Sequence, residues 1–183
     1  MTNDSKTFPV LYSFRRCPYA MRARLALTVS GQTCELREVA LGNKPAAMIQ
    51  ASRKGTVPVL CLPHGQIIDE SLDVMQWTLA RHDPEQWLGT DDKHKAQMLA
   101  LISQCDGPFK EALDRYKYPS RYELCDPVEH RQAGALYLQT LEALLGEQAF
   151  LSGAKQGLAD MAIAPFVRQY AMTDRVWFDE QPW

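Results

Sequence analysis

One cysteine in the sequence stands in surroundings that favour a reactive thiol. Residues 13–25 read Ser-Phe-Arg-Arg-Cys-Pro-Tyr-Ala-Met-Arg-Ala-Arg-Leu, in which Cys17 follows a strand-like run and Pro18 suits the first position of a helix. The unpaired amides and the dipole of a helix start stabilise negative charge, and the four arginines nearby have no acidic residue among them between Asp4 and Glu35. We therefore expect a nucleophilic thiolate at Cys17 near neutral pH.

The residues around this cysteine also limit its chemistry. Ala20 occupies the position where a dithiol redox protein carries its second cysteine, so no internal disulfide closes there. This predicts monothiol chemistry, in which a mixed disulfide or thioether with a small thiol is resolved by a second small thiol. The alternative is that Cys17 is merely a small residue at a helix start, although Ser, Thr, Asp and Asn are better caps. The other cysteines lack a basic cluster and are expected to be inert: Cys34, Cys61, Cys105 and Cys125.

The composition of the chain excludes several classes of protein. With 183 residues, 23% charged and 46% hydrophobic, it is globular rather than disordered. A net charge of −2 does not suit a nucleic-acid binder, and no apolar run approaches the roughly 20 residues of a membrane-spanning helix. No signal-peptide core is found either, so we expect a cytoplasmic protein without a membrane segment. The single Cys-x-x-His, at 61–64, is interpreted as a strand end and a turn, and no metal site is expected.

Two different patterns divide the chain. Residues 1–80 carry a net charge of +3 and alternate strands with helices in the order β-α-β, β-β-α, which predicts an α/β domain with a small mixed sheet. The remainder carries −5 and shows helical patterns alone. We expect domains at 1–81 and 91–183, joined by a linker at 82–90. The strands are predicted at 8–14, 34–39, 57–62 and 66–68, and the helices at 18–30, 45–51, 71–81, 91–116, 127–145 (with Gly146 as a stop) and 157–172.

These motifs resemble the glutathione transferase superfamily over nearly the whole chain. The sequence Cys-Pro-Tyr-Ala, beginning at Cys17, is most similar to the cysteine-type, omega-like transferases. The resemblance implies a thioredoxin-like N-terminal domain that binds glutathione, followed by an all-helical domain. It also implies a homodimer, a structural N-capping role for Asp160 with Gly157 at the cap, and a further C-terminal helix that is absent from the sequence.

The resemblance also assigns the glutathione site. The backbone of Val57, before a cis Pro58, would pair with the cysteinyl part of glutathione, and Lys44 would meet its glycyl carboxylate. In the segment Asp69-Glu70-Ser71, Glu70 would take the γ-glutamyl ammonium while Ser71 caps the next helix. The full set of residues assigned to glutathione is Tyr19, Lys44, Val57, Pro58, Glu70 and Ser71.

The activity implied is glutathione-dependent thiol transfer or reduction. Cys17 would attack a glutathionyl mixed disulfide or a small electrophile, and glutathione, the co-substrate, would regenerate the thiolate. Deglutathionylation, dehydroascorbate-type reduction and weak conjugation would follow. The alternative is a non-catalytic binding or regulatory module of the same fold. An aromatic and basic cluster would line a second-substrate site between the domains, or else pack them together: Arg115, Tyr116, Lys117, Tyr118, Arg121 and Tyr122.

Overall fold

The computed structural model describes residues 8–183, which form two compact units that divide after Glu85. This division falls inside the segment 82–90 that the sequence indicated as a linker. The first seven residues of the predicted N-terminal domain lie outside the described part of the chain. Each unit is built around its own hydrophobic core.

The N-terminal unit contains a four-stranded mixed sheet and three helices. Strand β1 (Val10–Ser13) lies between a parallel neighbour, β2 (Glu35–Glu38), and an antiparallel one, β3 (Val59–Cys61). Strand β4 (Ile67–Ile68) pairs with β3, which gives the order β2-β1-β3-β4. This is the α/β arrangement expected from the sequence, in the predicted order. The elements are β1 (Val10–Ser13), α1 (Pro18–Val29), β2 (Glu35–Glu38), α2 (Ala46–Ala51), β3 (Val59–Cys61), β4 (Ile67–Ile68) and α3 (Ser71–Leu79).

Helices cover both faces of this sheet. Neighbouring residues of a strand point to opposite sides, so one strand contributes to a hydrophobic cluster on each face. Tyr12 belongs to the cluster on one face, where Met48 of α2 is fully buried. Leu11 belongs to the cluster on the other face, with Leu27 of α1 and Val74 of α3. The ends of β1 and β3 are thereby held against helices, and the loops that follow or precede them carry the candidate site.

The C-terminal unit is helical throughout its regular elements. One expectation is refined here, because the single helix predicted at 91–116 is interrupted by a π-helical turn that contains Pro108. Proline lacks the amide that an α-helical bond would require, and the wider turn accommodates it. The elements are α4 (Asp92–Gln104), the π-helical turn (Cys105–Phe109), α5 (Lys110–Lys117), a 3₁₀ turn (Pro119–Arg121), α6 (Pro127–Glu147), α7 (Leu158–Ala171) and α8 (Arg175–Asp179).

One further expectation about this unit was wrong, and one helix was not predicted. Gly146 does not stop a helix: it lies within α6, which continues to Glu147. A glycine ends a helix when it takes the left-handed conformation, whereas inside a helix it costs only about 1 kcal/mol, which the packing of a long helix offsets. Helix α8 was not predicted, and it begins where the side chain of Asp174 accepts a hydrogen bond from the Trp177 amide at 3.1 Å.

The start of α7 is fixed by one carboxylate. Asp160 accepts hydrogen bonds from the backbone amides of Gly157 at 2.9 Å, Leu151 at 2.7 Å and Ser152 at 3.2 Å. A Cβ atom on Gly157 would lie 2.7 Å from the Ser152 side chain, so the close approach of this loop explains why the cap is glycine. Asp160 therefore holds both the helix start and the preceding loop.

An aromatic cluster fills the core between α5, α6 and α7. The ring of Tyr170, which is 1% exposed, lies 5.6 Å from that of Phe109 and 5.3 Å from that of Tyr116. Its hydroxyl donates to the Arg131 carbonyl at 2.5 Å. Gly134 of α6 lies directly against this ring, and a Cβ there would be 2.6 Å from Cε2 of Tyr170.

Candidate active site

Cys17 occupies the N-cap position of α1. Its backbone is extended, with φ −74° and ψ 122°, and its side chain makes no hydrogen bond to the first turn of the helix. A turn closed by the hydrogen bond from the Cys17 amide to the Phe14 carbonyl, 3.0 Å long, brings the chain from β1 into the helix. Pro18 follows at the first helical position, where the lack of an amide proton costs nothing. The half-buried sulfur thus lies at the positive end of α1, as expected from the sequence.

The second sequence motif lies beside this sulfur. The Val57–Pro58 peptide bond is cis, as the resemblance implied. The thiol of Cys17 donates a hydrogen bond to the Val57 carbonyl at 3.7 Å. The Val57 amide has no hydrogen-bond partner among residues 8–183, and the residue is 7% exposed. Two segments forty residues apart therefore meet at one point.

The arginines near Cys17 have separate roles. Arg24 donates to the Ser13 hydroxyl at 2.5 Å and to the Arg15 carbonyl at 2.9 Å, so it braces the turn before Cys17. Partial burial lowers the pKa of the Arg24 guanidinium, and the Glu38 carboxylate opposes this shift. These contacts position positive charge near the turn.

Arg22 points elsewhere, toward the start of α3. Its side chain is 1% exposed, it donates to the Ser71 hydroxyl at 3.5 Å, and its guanidinium lies 5.6 Å from the ring centre of Tyr19. Arg22 therefore links the start of α1 to the segment that the resemblance assigned to the γ-glutamyl group. The expectation of a thiolate at Cys17 stays a prediction.

The expected cap of α3 was wrong by one residue. The N-cap is Glu70, with φ −109° and ψ 132°, and its carbonyl accepts the first helical hydrogen bond from the Val74 amide at 2.9 Å. Ser71 is the first helical residue, and its buried hydroxyl accepts from Arg22 instead of capping the helix. The helix therefore begins one peptide earlier than a serine cap would have placed it.

Lys54 contacts Glu70, a predicted site residue, and sequence reasoning did not single it out. Its ammonium group lies 2.5 Å from Oε1 of Glu70 and 3.0 Å from Oδ1 of Asp69. The other carboxylate oxygen of Asp69 accepts from the Ser52 hydroxyl at 2.6 Å. These bonds raise the pKa of Lys54, chiefly through Glu70, and lower that of Asp69, chiefly through Ser52. The Lys-Gly pair at 54–55 marks a turn, but no sequence signal linked it to a segment fifteen residues further on.

Lys44 lies in the same neighbourhood. It is exposed, and a Cβ atom on Gly55 would lie 3.6 Å from its ammonium nitrogen. Gly55 has φ +63°, a conformation that other residues rarely adopt, and it follows Lys54 in the turn. The structure thus places Lys44 beside the turn that carries Lys54.

The aromatic cluster proposed for a second substrate divides into two parts. Tyr116 is 8% exposed and packs against Tyr170 within the helical unit, so it is a core residue rather than part of an open pocket. Tyr118 lies under the guanidinium of Arg121, 4.1 Å from the ring centre. Tyr122 pairs in the same way with Arg115, at 4.9 Å, and is 36% exposed.

The sequence of this chain is similar to known proteins over most of its length. The family model described as "Glutathione S-transferase, N-terminal domain" matches residues 11–87. The chain is 30% identical over 172 residues to the probable glutathione S-transferase BZ2 of Zea mays, covering 87% of this chain and 73% of that protein. The chain belongs to the glutathione S-transferase family. This transferase is also 34% identical over 160 residues to glutathione S-transferase omega-1 of Mus musculus, covering 87% of this chain but only 65% of the mouse protein.

The fold of this transferase is also that of solved family structures. Glutathione transferase Omega 2C from Trametes versicolor superposes with a TM-score of 0.78 at 22% identity, over 96% of this chain and 77% of the other. This likeness shows that the protein has the family's fold, with a thioredoxin-like domain followed by a helical domain. Between residues 8 and 183, the transferase has no cluster of three or more His, Cys, Asp or Glu side chains suited to a metal ion. None of its described helices has both the length and the apolar character needed to cross a membrane.

Proposed function

We propose that this chain is a glutathione-dependent thiol transferase or reductase that uses Cys17 as its single nucleophile. The observation that carries the proposal is the position of the Cys17 sulfur, at the N-terminus of α1 and 3.7 Å from the carbonyl oxygen of Val57. Membership of the glutathione S-transferase family, with omega-class relatives, supports glutathione as the thiol. Ala20, one turn into α1, leaves no second thiol at this helix start.

The reaction consists of two thiol–disulfide exchanges. The Cys17 thiolate attacks the glutathionyl sulfur of a mixed disulfide between glutathione and a substrate thiol. The S–S bond of this disulfide breaks, and the substrate leaves as a thiolate that takes a proton from solvent. The Cys17–glutathione disulfide that forms is then attacked by the thiolate of a second glutathione. Glutathione disulfide leaves, and the Cys17 thiolate is restored. Positive potential at the start of α1 stabilises the thiolate both as nucleophile and as leaving group.

The N-terminal unit has suitable groups for each part of glutathione. The amide and carbonyl of Val57, next to Pro58, pair with the cysteinyl residue as an added strand would. Lys44 binds the glycyl carboxylate, and Glu70 binds the γ-glutamyl ammonium. The backbone amide of Ser71, in the first turn of α3, faces the γ-glutamyl carboxylate. The Tyr19 ring, which lies beside Arg22, completes the set of groups proposed to bind glutathione. The family resemblance also leads us to propose that the protein is a cytoplasmic homodimer.

Substitution of the nucleophile tests this proposal. We expect Cys17→Ser and Cys17→Ala to lower glutathione-dependent disulfide reduction by at least about 100-fold, because the covalent intermediate is lost. Cys34→Ser is the matched control: Cys34 is half-buried, burial raises the pKa of its thiol, and its loss should leave turnover unchanged. Mass spectrometry after treatment with glutathione disulfide should find the adduct on Cys17. Wild-type turnover in both Cys17 variants would refute the catalytic assignment.

A second candidate is a non-catalytic glutathione-binding module. The observation that favours it is that the Cys17 sulfur already has a partner within the protein, because its thiol donates a hydrogen bond to the Val57 carbonyl. The rate of Cys17 alkylation by iodoacetamide, followed against pH, separates the two candidates. A catalytic cysteine reacts fast at pH 7, whereas a rate no faster than that of a free cysteine, together with retention on immobilised glutathione, would favour the binding module.

A further inference from the structure

The acidic pair at the start of α3 shares one cation. Lys54 contacts the carboxylates of both Asp69 and Glu70, at 3.0 and 2.5 Å. Asp69 is held from its other side by the Ser52 hydroxyl, and its side chain is 27% exposed. Glu70 is different: its side chain is 63% exposed, and within residues 8–183 Lys54 is its only ion-pair partner. Asp69 is therefore fixed, while Glu70 has one oxygen open to a ligand.

The head of glutathione carries two opposite charges on one carbon, an ammonium and a carboxylate. Glu70 and the backbone amides at the start of α3 complement these charges, the carboxylate for the ammonium and the amides for the ligand carboxylate. In the structure, however, the ammonium of Lys54 already occupies Oε1 of Glu70. A ligand ammonium on the other oxygen of Glu70 shares the carboxylate with Lys54, and the two like charges repel, so Lys54 affects which ligand head the site accepts.

Lys54 is able to change partners. Its side chain is 49% exposed on a flexible four-carbon stem, and the partner carboxylates lie at the surface, where ion pairs are weak. A small movement of the ammonium would take it from Glu70 to the carboxylate of a ligand that pairs its own ammonium with Glu70.

We infer that Lys54 makes the site specific for a zwitterionic head: it occupies Glu70 in the empty site and transfers to the α-carboxylate of the γ-glutamyl group when glutathione binds. This inference rests on the proposed function, since it assumes that glutathione binds at the start of α3. Lys54 then favours a ligand that brings both charges. It disfavours a ligand that brings an ammonium alone, because that ligand competes with Lys54 for Glu70 and offers nothing in return.

Two tripeptides test this role by calorimetric titration, without any measurement of activity. One is glutathione, and the other carries γ-aminobutyrate in place of γ-glutamate, so that the α-carboxylate alone is missing. We expect Lys54→Met to weaken glutathione binding about threefold and to strengthen binding of the second tripeptide about threefold, which changes the preference about tenfold. Lys54→Arg, which keeps the charge, should retain most of the wild-type preference.

Lys44→Met is the matched control, since the glycyl end that Lys44 is proposed to bind is the same in both tripeptides. It should weaken both by the same factor and leave the preference unchanged. If Lys54→Met also changes both affinities equally, the inference is overturned while the proposed function stands. If the wild-type protein binds neither tripeptide, the inference and the proposed function both fail.

Discussion

The contact between Gly134 and Tyr170 gives a prediction whose size follows from the structure. A Cβ added at Gly134 would lie 2.6 Å from Cε2 and 3.3 Å from Cδ2 of the Tyr170 ring, whereas carbon atoms in contact are about 3.5–4.0 Å apart. The ring would have to move by about 1 Å. It is 1% exposed, packed against Phe109 and Tyr116, and its hydroxyl is bonded to the Arg131 carbonyl, so no open space receives it.

The sign of the effect depends on two opposing contributions. Alanine stabilises a helix interior by about 1 kcal/mol relative to glycine. Overpacking of a buried contact costs about 1–3 kcal/mol, and a weakened hydrogen bond from the Tyr170 hydroxyl costs about 1 kcal/mol more. We therefore expect Gly134→Ala to lower the free energy of unfolding by about 1–3 kcal/mol.

Gly146→Ala provides the control in the same helix. Gly146 also lies within α6, but a Cβ there meets nothing within 4 Å, so this variant should be about 0.5–1 kcal/mol more stable than the wild type. Urea unfolding, followed by the far-ultraviolet circular dichroism of the helices, measures the free energy of unfolding of both variants. Equal stabilisation by the two substitutions would show that Tyr170 yields to a methyl group, and the account of a rigid aromatic core would be wrong.

Substitution of two carboxylates, Asp160 and Asp69, gives two further predictions about stability. Asp160→Asn should lower the free energy of unfolding by about 1–3 kcal/mol, because the three amides bonded to the carboxylate lose an anionic acceptor. An unchanged thermal midpoint would contradict this. The rate of Cys17 alkylation should be the same as in the wild type. Asp69→Asn should destabilise the N-terminal unit at neutral pH. Because the pKa of Asp69 is lowered in the folded protein, the loss of stability should be constant above about pH 5 and should shrink as the pH falls below 3.8, the ordinary aspartate value. A loss of stability that grows in acid would show that the pKa of Asp69 is raised and not lowered.

The features that sequence reasoning predicted are those with local causes. The order of strands and helices in the N-terminal unit follows from short apolar runs separated by glycine and proline, and the structure retains that order. The helix start at Cys17 followed from Pro18. The cis bond before Pro58 had a different source: about 5–6% of X–Pro bonds are cis, so only the family resemblance could indicate it.

The features that were missed depend on contacts distant in sequence. Lys54 is a surface lysine by every local criterion, and its importance arises because the β3–β4 hairpin brings residues 69–70 back beside it. Ser71 is a favourable cap residue, but Arg22, forty-nine positions earlier, engages its hydroxyl. Glycine at position 146 suggested a stop, yet the helix continues through it. For Lys54 and Ser71, contacts with residues distant in sequence override the local preference.

The uncapped start of α1 has a consequence for how this protein balances robustness against reactivity. The side chain at position 17 makes no bond to the amides of the first turn, although a hydroxyl in place of the sulfur would be a favoured cap. Loss of the sulfur would thus be tolerated by the scaffold, and an inert descendant would fold at least as well as its ancestor. Selection for stability alone would replace Cys17 by serine, which differs from it in one atom and is a better helix cap.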